Sequence, residues 1–279
     1  MKILVTGSAG FIGFHLCSLL CKNEKINVVG IDNLNDYYDV NLKKNRLRIL
    51  KQNYKNFQFV KINIENTSKV DDLFSFNKFE AVIHLAAQAG VRYSISEPRK
   101  YLNANILGFF NIIDQAKNHK IKHFLFASTS SVYGNSKNFP LNEKENTDKP
   151  LSFYAATKKS NEVMAYSYSN IYNLPCTALR FFTVYGPYGR PDMALNIFTK
   201  SFINNKQINL HNKGNHIRDF TYVDDIVISI SKLINKPPSS KIPFEVYNLA
   251  SSNPKKLTEF IKVIVKNLDI KKIKIKNLK

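Results

Sequence analysis

The chain has 279 residues, 44% of them hydrophobic, and its 41 lysines and arginines outnumber 21 acidic residues to give a formal net charge of +20. That length and apolar content suit one large or two smaller folded domains and exclude wholesale disorder. No stretch approaches the ~18 consecutive apolar residues of a membrane span, and the scattered lysines lack the aromatic-plus-basic pattern of a nucleic-acid binder. Cys17, Cys21 and Cys176 have neither metal nor redox spacing, so no metal site is expected. A sparse, odd cysteine set and a first segment broken early by glycine predict a cytoplasmic chain without a signal peptide.

In chain order, short β-branched runs alternate with helical-period segments. The runs are "KILVTG" (2–7), "INVVGID" (26–32), "FQFVKI" (57–62), "EAVIHLAA" (80–87), "KHFLFAS" (122–128) and "CTALRFF" (176–182), with helices predicted over 11–22, 41–52, 98–118 and 153–173. Continuous apolar strands separated by helices predict an α/β fold, a doubly wound parallel (Rossmann-type) sheet with ligands at the carboxyl ends of its strands. Beyond about 183 the pattern loosens into a glycine- and proline-rich loop and shorter elements. The expected division is therefore 1–182 as a cofactor domain and 183–279 as a smaller C-terminal substrate lobe.

"VTGSAGFIG" places Gly7, Gly10 and Gly13 directly after the first strand and into a helix. Glycines there allow a tight turn and close approach of the backbone to a pyrophosphate, which rests on the helix N-terminus. Asp32 ends the second strand, where its carboxylate can accept from the adenosine ribose hydroxyls and repel a 2′-phosphate. No arginine follows it directly, so NAD is expected rather than NADP. A second pattern is "SFYAATKKS" (152–160), which puts Tyr154 and Lys158 one turn apart on one helix face. A free tyrosine titrates near ~10, so a phenol acting as a base near neutrality needs roughly 4 kcal/mol of preferential phenolate stabilisation. An ammonium one turn away is an obvious source. Lys159 reads as a solvated neighbour, and His84 as a packed strand residue.

The glycine turn, Asp32, "HLAA" (84–87), "ASTSSVYG" (127–134) and "YAATK" (154–158) together resemble the extended short-chain dehydrogenase/reductase family. "DNLNDYYDVNLKKNRL" (32–47), "AGVRYS" (89–94), "RFFTVYGPYGRPDMA" (180–194) and "RDFTYVDD" (218–225) resemble its UDP-glucuronate 4-epimerase branch. The resemblance runs from residue 3 to about 262. It implies an isomerase that carries a sugar through a transient 4-keto state while NAD is reduced and regenerated. Tyr154 then takes the proton of the sugar 4-hydroxyl, Lys158 also holds the nicotinamide ribose, and Thr129 lends a hydroxyl to the 4-oxygen. The implied cofactor set adds Phe11, Ile12, Asn33, Asn63, Ile64, Leu85, Ala86, Ala87, Asn105 and Phe182. Asn63 stands where the family usually has aspartate near the adenine.

Related dehydratases and decarboxylases carry carboxylates where this chain has Ser130 and Ser131, so elimination and decarboxylation lack an acid/base participant. Those hydroxyls, with Thr183, can serve the substrate's own C6 carboxylate. Arg190 and Arg218, and more weakly Arg92, suit the UDP diphosphate, since guanidinium forks match phosphate oxygens. Gln88 completes the substrate set. The resemblance also implies a homodimer through helices near 98–118 and 153–173. Relatives continue past "FIKVIVKNLD" with further substrate-lobe elements, so the lobe is expected to be incomplete. Two alternatives therefore stay open: a catalytically silent NAD-binding remnant, and a UDP-glucose/galactose 4-epimerase.

Overall fold

The structure, a computed structural model, describes residues 1–278. Its elements in chain order are β1 (Lys2–Thr6), α1 (Phe11–Cys21), β2 (Asn27–Asp32), α2 (Val40–Asn53), β3 (Phe57–Lys61), α3 (Thr67–Ser75) and β4 (Ala81–His84). Two single-turn helices, α4 (Tyr93–Ser96) and α5 (Pro98–Tyr101), lead through a π-helical turn (Leu102–Leu107) into α6 (Gly108–Asn118). Then follow β5 (His123–Thr129), a 3-10 turn (Ser130–Tyr133), α7 (Phe153–Tyr172), β6 (Cys176–Phe181), β7 (Thr183–Tyr185), α8 (Ala194–Ile203) and β8 (Ile208–His211). The last are β9 (Ile217–Tyr222), α9 (Val223–Leu233), β10 (Phe244–Leu249), β11 (Pro254–Lys256), α10 (Leu257–Asn267) and β12 (Ile275–Leu278).

The chain forms two compact units, Met1–Phe181 with Asp224–Leu249, and Phe182–Val223 with Ala250–Lys279. The first is built on a seven-stranded sheet in the order β10-β6-β5-β4-β1-β2-β3, every pair parallel. The strand order reverses beside β1, the switch point at which such sheets bind ligands. Central strands are apolar along their whole length because both sheet faces are covered: all of "AVIH" in β4 is buried, as are four of five residues of β1. Leu4, Val82, Phe124 and Phe126 meet Phe109, Ile112 and Ile113 of α6 in the main core.

The single boundary expected at 182/183 differs from this division. Residues 224–249 return to the first unit, and β10 adds a seventh strand by pairing with β6 from Phe244↔Cys176 to Leu249↔Phe181. The second unit holds the three-stranded sheet β11-β9-β7 and the pair β12-β8. Its own core joins Phe198 and Phe202 of α8, Ile208 and Leu210 of β8, and Ile261 and Ile264 of α10. Among the described residues no helix is long and apolar enough to cross a membrane.

Candidate active site

The turn between β1 and α1 is built by exclusion of side chains. Gly7 has φ +71°, and a Cβ there would lie 2.8 Å from the Ala86 amide nitrogen at the exit of β4. A Cβ on Gly13 would stand 2.1 Å from the Gly7 carbonyl oxygen, so the helix rests directly on the turn. Gly10 caps α1 without a side chain, and Phe14 is the first amide to bond back into the helix, to the Gly10 carbonyl at 3.0 Å. The amides of Phe11, Ile12 and Gly13 thus point forward from a helix N-terminus, an arrangement that favours an anion. Leu85, Ala86 and Ala87 follow β4 and are partly exposed. Thr6 fixes this exit: its carbonyl accepts from the Leu85 amide and its hydroxyl from the Ala86 amide.

Asp32 ends β2 with one carboxylate oxygen accepting from the Ala9 amide at 3.2 Å and the other from the Leu34 amide at 2.8 Å. Burial pushes its carboxyl up, against the pull of those amides and of Lys43 and Arg46. Those two cations escaped the sequence reading. Arg46 is fully buried and its Nη1 donates to the Ala9 carbonyl (2.8 Å) and the Tyr38 hydroxyl (2.7 Å). Lys43, also buried, donates to the Asn35 carbonyl and side-chain oxygens. The arginine missing after Asp32 in the sequence is thus supplied by α2, beneath the turn and with its Nη1 already engaged by oxygens. Asn33 accepts from the Asn35 amide at 3.0 Å. Asn63 is exposed and accepts from the Glu65 amide at 3.3 Å. Ile64 is buried against Gly108, where a Cβ would lie 2.6 Å from its Cγ1.

The Tyr154–Lys158 pair lies on the first turns of α7, started by Ser152, whose hydroxyl accepts from the Ala155 amide at 3.1 Å. Tyr154 is half-buried with its ring edge-on to Tyr101, centroids 6.1 Å apart. Lys158 is 1% exposed. Burial pulls its pKa down to about 7, with Glu162 one turn later pulling the other way. His84 at the end of β4 is brought down to about 3, by burial first and then by the charge of Lys158. Thr129 ends β5, 7% exposed, its hydroxyl accepting from the Ser131 amide at 3.2 Å. Ser130 and Ser131 are partly exposed on the 3-10 turn that follows.

Asn105 lies in the π-helical turn and braces the site. Its Oδ1 accepts from the Gln88 amide (2.8 Å), and its Nδ2 donates to the Gln88 carbonyl (3.1 Å) and the Thr157 hydroxyl (3.0 Å). Thr157 in turn donates to the Tyr154 carbonyl at 2.8 Å. The cofactor contact expected of Asn105 therefore has its side chain already tied between the β4 exit and the catalytic turn. Gln88 is buried, and Arg92 stands exposed at the start of α4.

In the second unit, Phe182 and Thr183 are partly buried at and before the start of β7. Arg190 makes a forked ion pair with Asp192, Nε to Oδ1 at 3.0 Å. Arg218 is exposed on β9, its Nη1 donating to the Ile217 carbonyl at 2.8 Å. Beside it Asp219, which the sequence reading passed over, collects the Thr221 and Ser251 hydroxyls and the Ser251 and Asn253 amides. That cluster pins the turn after β10 to β9.

A glycine turn open to an anion, an aspartate ending β2 and a Tyr/Lys helix turn beside a strand-end threonine define a dinucleotide-dependent enzyme of the extended short-chain dehydrogenase/reductase type. Residues 3–250 match the NAD dependent epimerase/dehydratase family, and the chain belongs to it. It is 49% identical over 282 residues to Protein CapI of Staphylococcus aureus, covering 96% of this chain and 84% of that one. It is 43% identical over 281 residues to a probable UDP-glucuronate 4-epimerase of Rhizobium meliloti, covering 95% of this chain and 82% of that one. Among solved structures, the Bacillus cereus UDP-glucuronic acid 4-epimerase in complex with UDP-glucuronic acid and NAD superposes with a TM-score of 0.92 at 36% identity, covering all of this chain and 86% of that one.

Proposed function

We propose that this chain is an NAD-dependent 4-epimerase that interconverts UDP-glucuronate and UDP-galacturonate. The observation that carries this is the Tyr154–Lys158 turn: a half-buried phenol one helical turn from a buried lysine, on the helix that Asn105 ties to the β4 exit. NAD fits the residues present. Side-chain-free Gly7, Gly10 and Gly13 with the α1 amides would hold its pyrophosphate, Asp32 its adenosine ribose, and the Lys158 ammonium its nicotinamide ribose. When bound, NAD supplies the acceptor for the C4 hydride and returns it, so no net redox change results.

The chain's own residues supply the rest. Tyr154 takes and returns the proton at the sugar O4, with the Lys158 charge favouring the phenolate. Thr129 orients O4 by its hydroxyl. Ser130 and Ser131 face the C6 carboxylate with hydroxyls and no competing charge, which keeps the chemistry at C4, and Thr183 serves the same group. Arg190, Arg218 and Arg92 bind the diphosphate, Arg190 by exchanging its Asp192 partner for phosphate oxygens. On this reading residues 1–182 carry NAD, 183–279 contribute the substrate side, and two chains pair through α6 and α7 in the cytoplasm. Exposed Leu107, Phe110, Val163 and Tyr166 on and beside those helices supply apolar surface for the pairing. The test is to incubate the purified protein, loaded with NAD, with UDP-glucuronate and separate the products. UDP-galacturonate is the expected product. Folded, NAD-loaded protein that leaves UDP-glucuronate unchanged would sink the proposal, and conversion of UDP-glucose alone would reassign the substrate.

A further inference from the structure

The chemistry above makes no use of a fully buried ion pair that lies directly behind it. Glu162 of α7 and Arg180 of β6 are 4% and 3% exposed. The guanidinium grips both carboxylate oxygens, Nε on Oε1 and Nη2 on Oε2, each at 2.9 Å. The Ser128 hydroxyl donates to the same Oε1 at 2.6 Å. Ser128 immediately precedes Thr129 and stands opposite Arg180 in the β5–β6 register. Glu162 follows Lys158 by one helical turn and Tyr154 by two. On its other side Arg180 donates through Nη1 to the Tyr133 hydroxyl (2.9 Å) and the Glu143 carbonyl (3.3 Å). Tyr133 ends the Ser130–Tyr133 turn and donates to Asn248 Oδ1 on β10 at 2.7 Å.

A buried ion pair is a poor source of net stability, because desolvation offsets most of the attraction and an apolar pair of the same size does as well. This one has a geometric consequence that an apolar pair would not reproduce. It joins by directed bonds the strand that ends in Thr129, the turn that carries Ser130 and Ser131, and the helix that carries Tyr154 and Lys158. It also places a carboxylate one helical turn from the buried Lys158. The remaining charged and titratable groups facing this pair are few. Lys159 lies 3.9 Å from Glu162 Oε2 and turns to Asp148 and Thr147. His84 comes from β4, Tyr133 from the 3-10 turn, Glu143 from the loop before α7, and Tyr101 packs on Tyr154. Of these, the neighbouring carboxylate is the one that opposes the burial of Lys158.

We propose that Glu162, clamped by Arg180, is a positioning residue for the epimerase reaction: it holds the Thr129 strand end against the Tyr154–Lys158 turn and keeps Lys158 charged beneath the phenol. This rests on the functional reading above, and one readout is independent of it. In NAD-free protein with 13C-labelled lysine, the Lys158 resonance, assigned by its loss in Lys158→Met, is titrated in wild type, in E162Q and in the double variant E162Q/R180M. The double variant is included because E162Q alone strands Arg180 as an uncompensated buried charge. The midpoint is expected to fall in both variants, by about one pH unit or more in E162Q, where Lys158 loses an opposite charge and faces an uncompensated Arg180, and by less in the double variant, where an anion and a cation leave together. An unmoved midpoint in folded E162Q, or in the folded double variant where E162Q does not fold, overturns the proposal, whether or not any sugar is turned over.

The second readout is the pH profile of the NAD-loaded enzyme with UDP-glucuronate. The alkaline limb of kcat/KM is expected to move to lower pH in the double variant while KM stays within about threefold of wild type. A slower enzyme with an unmoved limb would mark the pair as structural support only and overturn the assignment. Absence of turnover in the wild type would count against the epimerase reading and leave the lysine titration as the arbiter of this one.

Discussion

A histidine beneath Lys158 should make the fold sensitive to acid. His84 is 1% exposed, with its ring against Phe109 and Phe124. Its Nδ1 lies 3.0 Å from the Thr6 hydroxyl, which also accepts from the Ala86 amide. Burial and the Lys158 charge bring its pKa to about 3, against ~6.5 in the unfolded chain. The unfolded state therefore binds the extra proton between those values, and stability must fall as pH drops through that window. At pH ~4.5 the two pH units below the unfolded value are worth about 3 kcal/mol. His84→Asn keeps a partner for Thr6 and removes the titration. Its packing loss displaces stability equally at every pH, so the quantity to read is the difference between pH ~7.5 and ~4.5, measured by urea unfolding of NAD-free protein. His123, brought to about 4 by burial, titrates in both proteins and cancels. Wild type should lose about 3 kcal/mol more than the variant over that interval. Equal losses would mean that His84 is solvated in the fold, and the dry floor beneath Lys158 would go with it.

Three further outcomes follow from the same geometry. Tyr154→Phe should abolish conversion of UDP-glucuronate while the purified protein still retains NAD, read from bound nucleotide released on denaturation; appreciable turnover would remove the phenol from the mechanism. Gly13→Ala sets a Cβ 2.1 Å from the Gly7 carbonyl, so the turn must open, and calorimetric NAD affinity should fall at least about tenfold. All three cysteines are buried, with Cys21 and Cys176 pushed up to about 12 and Cys17 also raised, chiefly by burial. A disulfide reagent at neutral pH should therefore find no fast thiol until urea unfolds the chain.

What the sequence disclosed was local. The β1 turn and the Tyr154–Lys158 pair each lie within one strand–turn or one helix turn, where spacing translates directly into direction. Asp32 was legible because it ends an apolar run. Strands buried on both faces announced themselves as unbroken apolar strings, whereas β10, "FEVYNL", alternates because it forms the sheet's edge, and was missed as a member of it. Pairings between distant residues left no such mark. Nothing in "NLKKNRL" distinguishes buried Lys43 and Arg46 from exposed Lys44, and only the packing of α2 beneath the glycine turn separates them. Arg180 read as one more arginine in a basic chain until the β5–β6 register set it beside Ser128 and Glu162. For Asn105 the sequence could not show that its amide is tied to Gln88 and Thr157.

The surplus of positive charge is thus a poor guide to where charge acts. Most lysines lie on solvated faces, while among the described residues four cations are withdrawn from water: Lys43, Arg46, Lys158 and Arg180. Three of them are met by oxygens of the chain. Arg180 has a carboxylate, Arg46 a carbonyl and a phenol, Lys43 a carbonyl and an amide oxygen. For Lys158 burial outweighs the pull of Glu162, and the fold bears the cost of it. Its pKa is depressed to about 7 against ~10.4 in a free lysine, so the unfolded chain holds the proton between those values and the NAD-free fold gains stability as pH rises through them. At neutral pH the empty site is therefore a destabilised one, and a ligand that hydrogen-bonds the ammonium recovers what the fold gives up. Part of the binding energy for a ligand at Lys158 is stored in the folded chain before the ligand arrives, which suits an enzyme whose cofactor stays bound from one turnover to the next.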